Sequence, residues 1–264
     1  MKPIVTGNDW FIPKPVLEVS AGLQTGITAL MTGLAIITII YAISVARRTG
    51  TAAPVYICIG AALAAFYEPL GDLFVHVAYH EVNQVNFVSS FGYRVPLWIV
   101  PTYIFFFGLP FVSLGKIISD GIGLKRWMMF YFAIIPSAWL FEVPMLELGY
   151  IDYYDPQPLK ILGYPLSMGF VNAATSMAAA GVIHLTRQIA VIRAHPILLV
   201  AIVPLSLVGV HASASLPLAS ALNSSSSQFM LEAMALLSMA AAVLLTFIVG
   251  SAVSRAPEEA RVKR

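Results

Sequence analysis

The chain has 264 residues, 59% hydrophobic and 11% charged, with a mean hydropathy of +0.83 and a formal net charge of +2. Soluble domains carry about 25% charged residues, so this composition excludes a water-soluble globular protein and indicates an integral membrane protein. The 15 Lys and Arg are scattered, which leaves no nucleic-acid footprint, and the single cysteine, Cys58, excludes an internal disulfide or a multi-cysteine metal site.

The first twenty residues hold Pro3, Asp9, Pro13, Pro15 and Glu18, with no apolar core after a basic start. They read as an outer N-terminal segment, 1–20, rather than a signal peptide. Seven apolar runs follow, at 21–45, 54–75, 95–114, 127–148, 164–185, 196–218 and 229–253. Each approaches or exceeds the ~20 residues that cross a bilayer as helix. The runs are continuously apolar rather than alternating, which favours helices over a barrel. The expected fold is all-α, with seven transmembrane helices across 21–253, no inserted soluble domain, and a basic tail at 254–264. The longest connection, 77–94, reads as a loop, and Ser224 to Ser227 as a short polar outer turn.

Basic residues in alternate connections set the orientation. One side holds Arg47, Arg48, Lys116, Lys125, Arg126, Arg187, Arg193, Arg255, Arg261, Lys263 and Arg264; the other holds Lys2, Lys14, Arg94 and Lys160. Eleven against four places the N-terminus outside and the C-terminus in the cytoplasm of a cell-membrane protein. Aromatic belts follow, with Trp127, Phe130 and Tyr131 inside and Tyr150, Tyr153, Tyr154 and Tyr164 outside.

A helix rises ~1.5 Å per residue, so sequence position converts to depth. Glu68 lies 14 residues past Pro54, roughly 21 Å above the inner face. Glu142 lies 15 residues past Trp127 and His211 15 past Pro196, each at roughly 22 Å. Asn172 is eight residues into the fifth span and Glu232 three into the seventh, both counted from the outer face. Polar groups from five spans therefore share the outer half of the membrane, and the inner half holds almost nothing ionisable. Glu68 and Glu142 also neighbour Pro69 and Pro144, which leave the carbonyls of Ala65 and Leu140 without helical donors. Pro101, Pro110, Pro136 and Pro204 read as ordinary membrane-helix kinks.

Ionisable groups inside hydrocarbon are costly and so mark functional sites. A desolvated carboxyl group can serve as an acid toward an alkene, enol or hydroxyl while a second carboxylate acts as base. Glu68 and Glu142 fit that division, with Asp72 one turn from Glu68 as a third catalytic candidate. Asn172, Tyr67, Trp139, Tyr154, His211 and Glu232 are the expected substrate-binding residues, and Phe66 and Phe141 add aromatic walls that stabilise developing cation. Asp72, His76 and His80 have i, i+4, i+8 spacing beside Glu81, which would line one helix face for a metal. They fall at the membrane edge, so the expectation is a helix extension with His76 and His80 solvated, no metal and no cofactor. No serine sits in a nucleophile elbow, and no glycine-rich phosphate loop is present.

The segment from Glu142 through Glu147, Tyr153, Tyr154 and Pro158, followed by Ile161 to Pro165 and Asn172, resembles the bacterial avermectin-spirocyclase-like membrane proteins, as does the run Glu68 to Asp72. The likeness covers roughly residues 55 to 185. It implies a multi-pass protein that promotes dehydration or spiroketal closure of a lipophilic metabolite by acid–base catalysis. In architecture the chain is also similar to the seven-helix meroterpenoid cyclases, from which no site residue is drawn. The expected function is thus a cyclase or isomerase acting on a lipophilic small molecule amid membrane lipid. The alternative is a proton- or cation-coupled transporter using the same carboxylates; internal repeats, common in transporters, are absent.

Overall fold

Every peptide group inside hydrocarbon must be paired within the protein, and continuous helices meet that demand locally. The computed structural model describes residues 14–262, with side chains described as far as Arg255. The first thirteen residues of the expected outer segment, and the side chains of Arg261, Lys263 and Arg264 in the basic tail, lie outside the described residues.

Seven helical rods are long and apolar enough to cross a membrane, as a multi-pass protein requires. The first is α1 (Ala21–Thr49), opened by Ser20, whose hydroxyl accepts from Leu23 N at 3.2 Å. The second joins α2 (Ala53–Ala64) through a 3₁₀ turn at Ala65–Tyr67 to α3 (Glu68–Val75). The third joins α4 (Ile99–Tyr103) through a π-helical turn at Ile104–Gly108 to α5 (Leu109–Ser119). Then come α6 (Leu124–Glu147) and α7 (Leu166–Thr186). A short α8 (Ala190–Ala194) precedes α9 (Leu199–Leu222), and α10 (Gln228–Val262) is the last rod. The expected basic tail begins as a continuation of α10.

The helix α7 is the axis of the bundle and packs against α5, α6, α9 and α10. Its Gly169, Ala173, Ala174, Ala178, Ala179, Ala180 and Gly181 are all buried, and such small residues let helices approach closely where lipid gives no hydrophobic drive. Close approach is also built into α2: a Cβ at Gly60 would stand 2.7 Å from Val203 Cβ on α9. Outer rods turn apolar faces outward instead, as with Ile36, Ile37 and Ile40 of α1 and Leu244, Phe247 and Ile248 of α10.

The end of the bundle that carries residues 76–98 and 148–165 is covered by β-structure. Strand β1 (Leu17–Glu18) pairs in parallel with β2 (Val77–Val82), which pairs antiparallel with β5 (Ile151–Tyr153). Two hairpins complete the cover, β3 (Asn86–Ser90) with β4 (Tyr93–Pro96) and β6 (Lys160–Ile161) with β7 (Tyr164–Pro165). Both turn through two residues at positive φ, Phe91-Gly92 and Leu162-Gly163, the mirror-image turns whose twist suits antiparallel strands.

This cover corrects several expectations. The stretch 77–94 is a strand and hairpin rather than a loop, and the third and fifth rods start at Ile99 and Leu166 because the residues before them are paired in strands. The Asp72–His76–His80 helix face does not form. The helix stops at Val75, His76 turns left-handed at φ 51°, and His80 lies on β2. Neither histidine is solvated, with His76 5% and His80 0% exposed. His76 stacks on Tyr154 at 4.9 Å, and His80 accepts from Trp98 Nε1 at 3.2 Å. Nor are the aromatic belts all at the surface, because Trp127, Tyr131, Tyr150, Tyr153, Tyr154 and Tyr164 are buried. The Trp127 indole reaches past its own helix to donate to Thr246 O at 3.0 Å, consuming its polar handle inside the bundle.

Candidate active site

Beneath the sheet lies a cavity of about 120 Å³ whose lining includes Tyr67, Glu68, Asp72, Glu142, Asn172 and His211. A cavity of ~150 Å³ admits a benzene ring, so this one takes a single small apolar group or a few waters at a time. Side chains on α3, α4, α6, α7 and α9 meet there.

Strand periodicity makes the roof. Val77 pairs with Tyr153 and Tyr79 with Ile151, so all four side chains stand on one face of the β2–β5 ladder. All four line the cavity. Two of them are tyrosines, placed diagonally across the ladder, and each reaches a different carboxyl group.

Glu68 accepts from the hydroxyl of Tyr79 on one oxygen and from that of Tyr103 on the other. Glu142 Oε2 accepts from the Tyr153 hydroxyl at 2.5 Å, and Oε1 from Asn172 Nδ2 at 2.7 Å and the Tyr164 hydroxyl at 3.3 Å. Each carboxyl group is thus held by one roof tyrosine and one from another element, Tyr103 of α4 for Glu68 and Tyr164 of β7 for Glu142. Burial first, then the charge of the carboxylate it faces, holds the Tyr79 and Tyr153 hydroxyls well above the usual phenol range, so both keep their protons. A tyrosine hydroxyl also accepts, so a carboxyl group can take or lose a proton without losing its partners. Asn172 Nδ2 only donates, which favours Oε2 over Oε1 as the seat of any proton on Glu142.

Backbone irregularities bring these groups in. Glu68 opens α3 directly after the 3₁₀ turn, with Pro69 in the first turn where a missing N–H costs nothing. The π-helical turn beside Tyr103 has Leu109 N donating to Ile104 O, five residues back, and Pro110 follows. Its Phe106 and Phe107 line the cavity. On α9, His211 Nδ1 lies 3.4 Å from the Tyr67 hydroxyl. Asp72 is buried beside them, its Oδ2 without a partner among the described residues.

Three expected substrate-binding residues stand elsewhere. Tyr154 follows Tyr153 on the strand and so points to the opposite face, where its hydroxyl meets that of Tyr93 at 2.5 Å. Trp139 is turned round α6 toward the β6–β7 hairpin, its Nε1 3.4 Å from Ile161 O. Glu232, just past the first turn of α10, accepts from Gln228 Nε2 at 3.1 Å and does not line the cavity. Phe66 likewise leaves the pocket, more than half exposed and 4.8 Å from the Phe87 ring, while Phe141 lines it. Tyr79, Tyr103, Tyr153 and Tyr164 are the site residues that sequence reasoning missed. Among the described residues, no three His, Cys, Asp or Glu side chains converge as metal ligands. No family model, no curated protein and no solved structure matches the chain.

Proposed function

We propose that the protein is a cofactor-independent acid–base catalyst that cyclises or isomerises a lipophilic metabolite, of polyketide or terpenoid type, from the outer half of a cell membrane. The carrying observation is the pair of carboxyl groups, Glu68 and Glu142, on separate helices around one aromatic-walled cavity, each cradled by two tyrosines. Charge supports the orientation. Arg47, Arg48, Lys116, Lys125, Arg126, Arg187, Arg193 and Arg255 gather at the end away from the sheets, against Lys14, Arg94 and Lys160 at the sheeted end.

Glu68, whose proton can sit on either oxygen, gives it to an alkene, enol ether or epoxide of the substrate. A hydroxyl or double bond of the same molecule closes on the developing cation, and Glu142 takes the proton that is lost. A return transfer from Glu142 to Glu68 through water resets the pair, so the substrate gains and loses one proton and its mass is unchanged. Phe106, Phe107 and Phe141 line the space where the cation develops. The cavity volume fits the reacting terminus of a longer lipophilic molecule whose remainder stays in the membrane.

The test is deletion of the gene in its host, with lipophilic extracts compared by chromatography and mass spectrometry. Deletion is expected to accumulate an isomer of equal mass and shifted retention. The wild type is expected to restore the product, and Glu68→Gln and Glu142→Gln to fall short by about 10²–10⁴-fold in rate, the usual weight of a positioned acid or base. Full restoration by either variant contradicts the mechanism. An unchanged compound that merely moves across the membrane identifies the transporter.

A further inference from the structure

A second cavity, of about 300 Å³, opens at the end of the bundle away from the sheets, between the α1–α2 turn, the end of α5 and the α7–α9 connection. Its polar lining is Thr51, Ser119, His184, Arg187, Gln188 and Arg193, with no carboxylate among them. Arg187 caps the end of α7, and its guanidinium reaches across to α5, where Gly115 makes room: a Cβ there would stand 3.6 Å from Arg187 Nη1. That guanidinium is half-buried and has no hydrogen-bond or ion-pair partner among the described residues. Beside it in the lining, the buried His184 Nδ1 is also without a partner. Three rods, α1, α5 and α7, end at this cavity and two, α2 and α9, start there, so the helix dipoles supply no net positive charge and the arginines set its sign. Burial pulls Arg187 below its ordinary value, but arginine stays charged in proteins and a half-buried cation with free donors calls for an anion.

We infer that this cavity binds a phosphate-type oxyanion, held by the forked guanidinium of Arg187 with Arg193 at the rim and His184, Gln188 and Ser119 as further polar contacts. The planar fork matches two oxygens of a phosphate, and the volume accommodates one. The anion comes either from the headgroup of an acidic phospholipid in the adjoining leaflet or from free phosphate; the chemistry at the arginine is the same. The site is separate from the carboxylate cavity and does not rest on the proposed catalysis.

The experiment follows thermal unfolding of the full chain in neutral detergent, titrated with inorganic phosphate, with phosphatidylglycerol, and with phosphatidylcholine as the zwitterionic comparison. The expected result is a saturable rise in midpoint with phosphatidylglycerol, phosphate or both, exceeding that with phosphatidylcholine. A response to the lipid alone assigns a headgroup, and a response to phosphate assigns the free anion. In Arg187→Gln the apparent affinity falls about tenfold. Arg187→Lys keeps the charge but not the fork, falls between the two, and serves if Arg187→Gln does not fold. A Lys125→Gln/Arg126→Gln variant, altered outside the cavity, responds as wild type. No saturable response, equal responses in wild type and the Arg187 variants, or equal loss in the Lys125/Arg126 variant overturns the site.

Discussion

The two ends of the bundle handle buried charge in opposite ways. At the sheeted end, two carboxyl groups sit around one cavity and are met by four tyrosine hydroxyls and an amide, all neutral donors supplied by strands as well as helices. At the other end the described connections hold turns and short helices but no strand, and Arg187 faces a cavity instead of a partner. A neutral donor satisfies a carboxylate without cancelling its chemistry, because the proton can still be exchanged; an ion pair would have fixed it. The sheet is what makes this arrangement available within a membrane protein. Its backbone is paired internally, and its two-residue periodicity aims Tyr79 and Tyr153 at different glutamates from one roof.

That contrast can be broken in graded steps. Removing the roof hydroxyls by Tyr79→Phe and Tyr153→Phe is expected to slow turnover of the host metabolite about tenfold to hundredfold each. This is the rate equivalent of the ~1.5–3 kcal/mol carried by a hydrogen bond to a charged group. Tyr154→Phe, one residue along on the other face, is expected to change it far less. Gly60→Val, which forces a branched side chain between α2 and α9, is expected to cost about 1–3 kcal/mol in unfolding measurements. A third step is titration. Burial lowers the His76 imidazole below its ordinary 6.5, so the unfolded chain binds its proton first as the pH drops. Its contribution to stability is full above pH 6.5 and is lost as the pH falls below that value, so His76→Gln is expected to flatten the acid side of a plot of unfolding midpoint against pH. The smallest effect belongs to Glu232→Gln and Trp139→Phe, which stand away from the cavity and are expected to leave turnover within about twofold of wild type.

Depth counting along the helices was enough to place Glu68, Glu142, Asn172 and His211 near one another, because rise per residue is fixed and seven spans leave little freedom in depth. Depth says nothing about which way a side chain turns, and this is why Trp139 and Glu232, at suitable heights, face elsewhere. The tyrosine partners were hidden for another reason. Tyr79 and Tyr153 become site residues only through the β2–β5 pairing, a contact across more than seventy residues that no local pattern declares. The hairpins did carry a local signal, in Phe91-Gly92 between Val88-Ser-Ser90 and Tyr93-Arg-Val95 and in Leu162-Gly163. High hydropathy along the whole chain favours helices and masks these short β segments, which read as loop or span ends.

The most direct measurement compares Glu68→Gln, Glu142→Gln and the double variant, each shown to assemble and unfold like wild type, for conversion of the host metabolite to its isomer. Two groups serving one proton-transfer cycle act as a unit, so the double variant is expected to be no slower than the worse of the two single variants. Additive losses in the double variant, or conversion at the wild-type rate in either single one, would contradict the shared cavity as the seat of the chemistry.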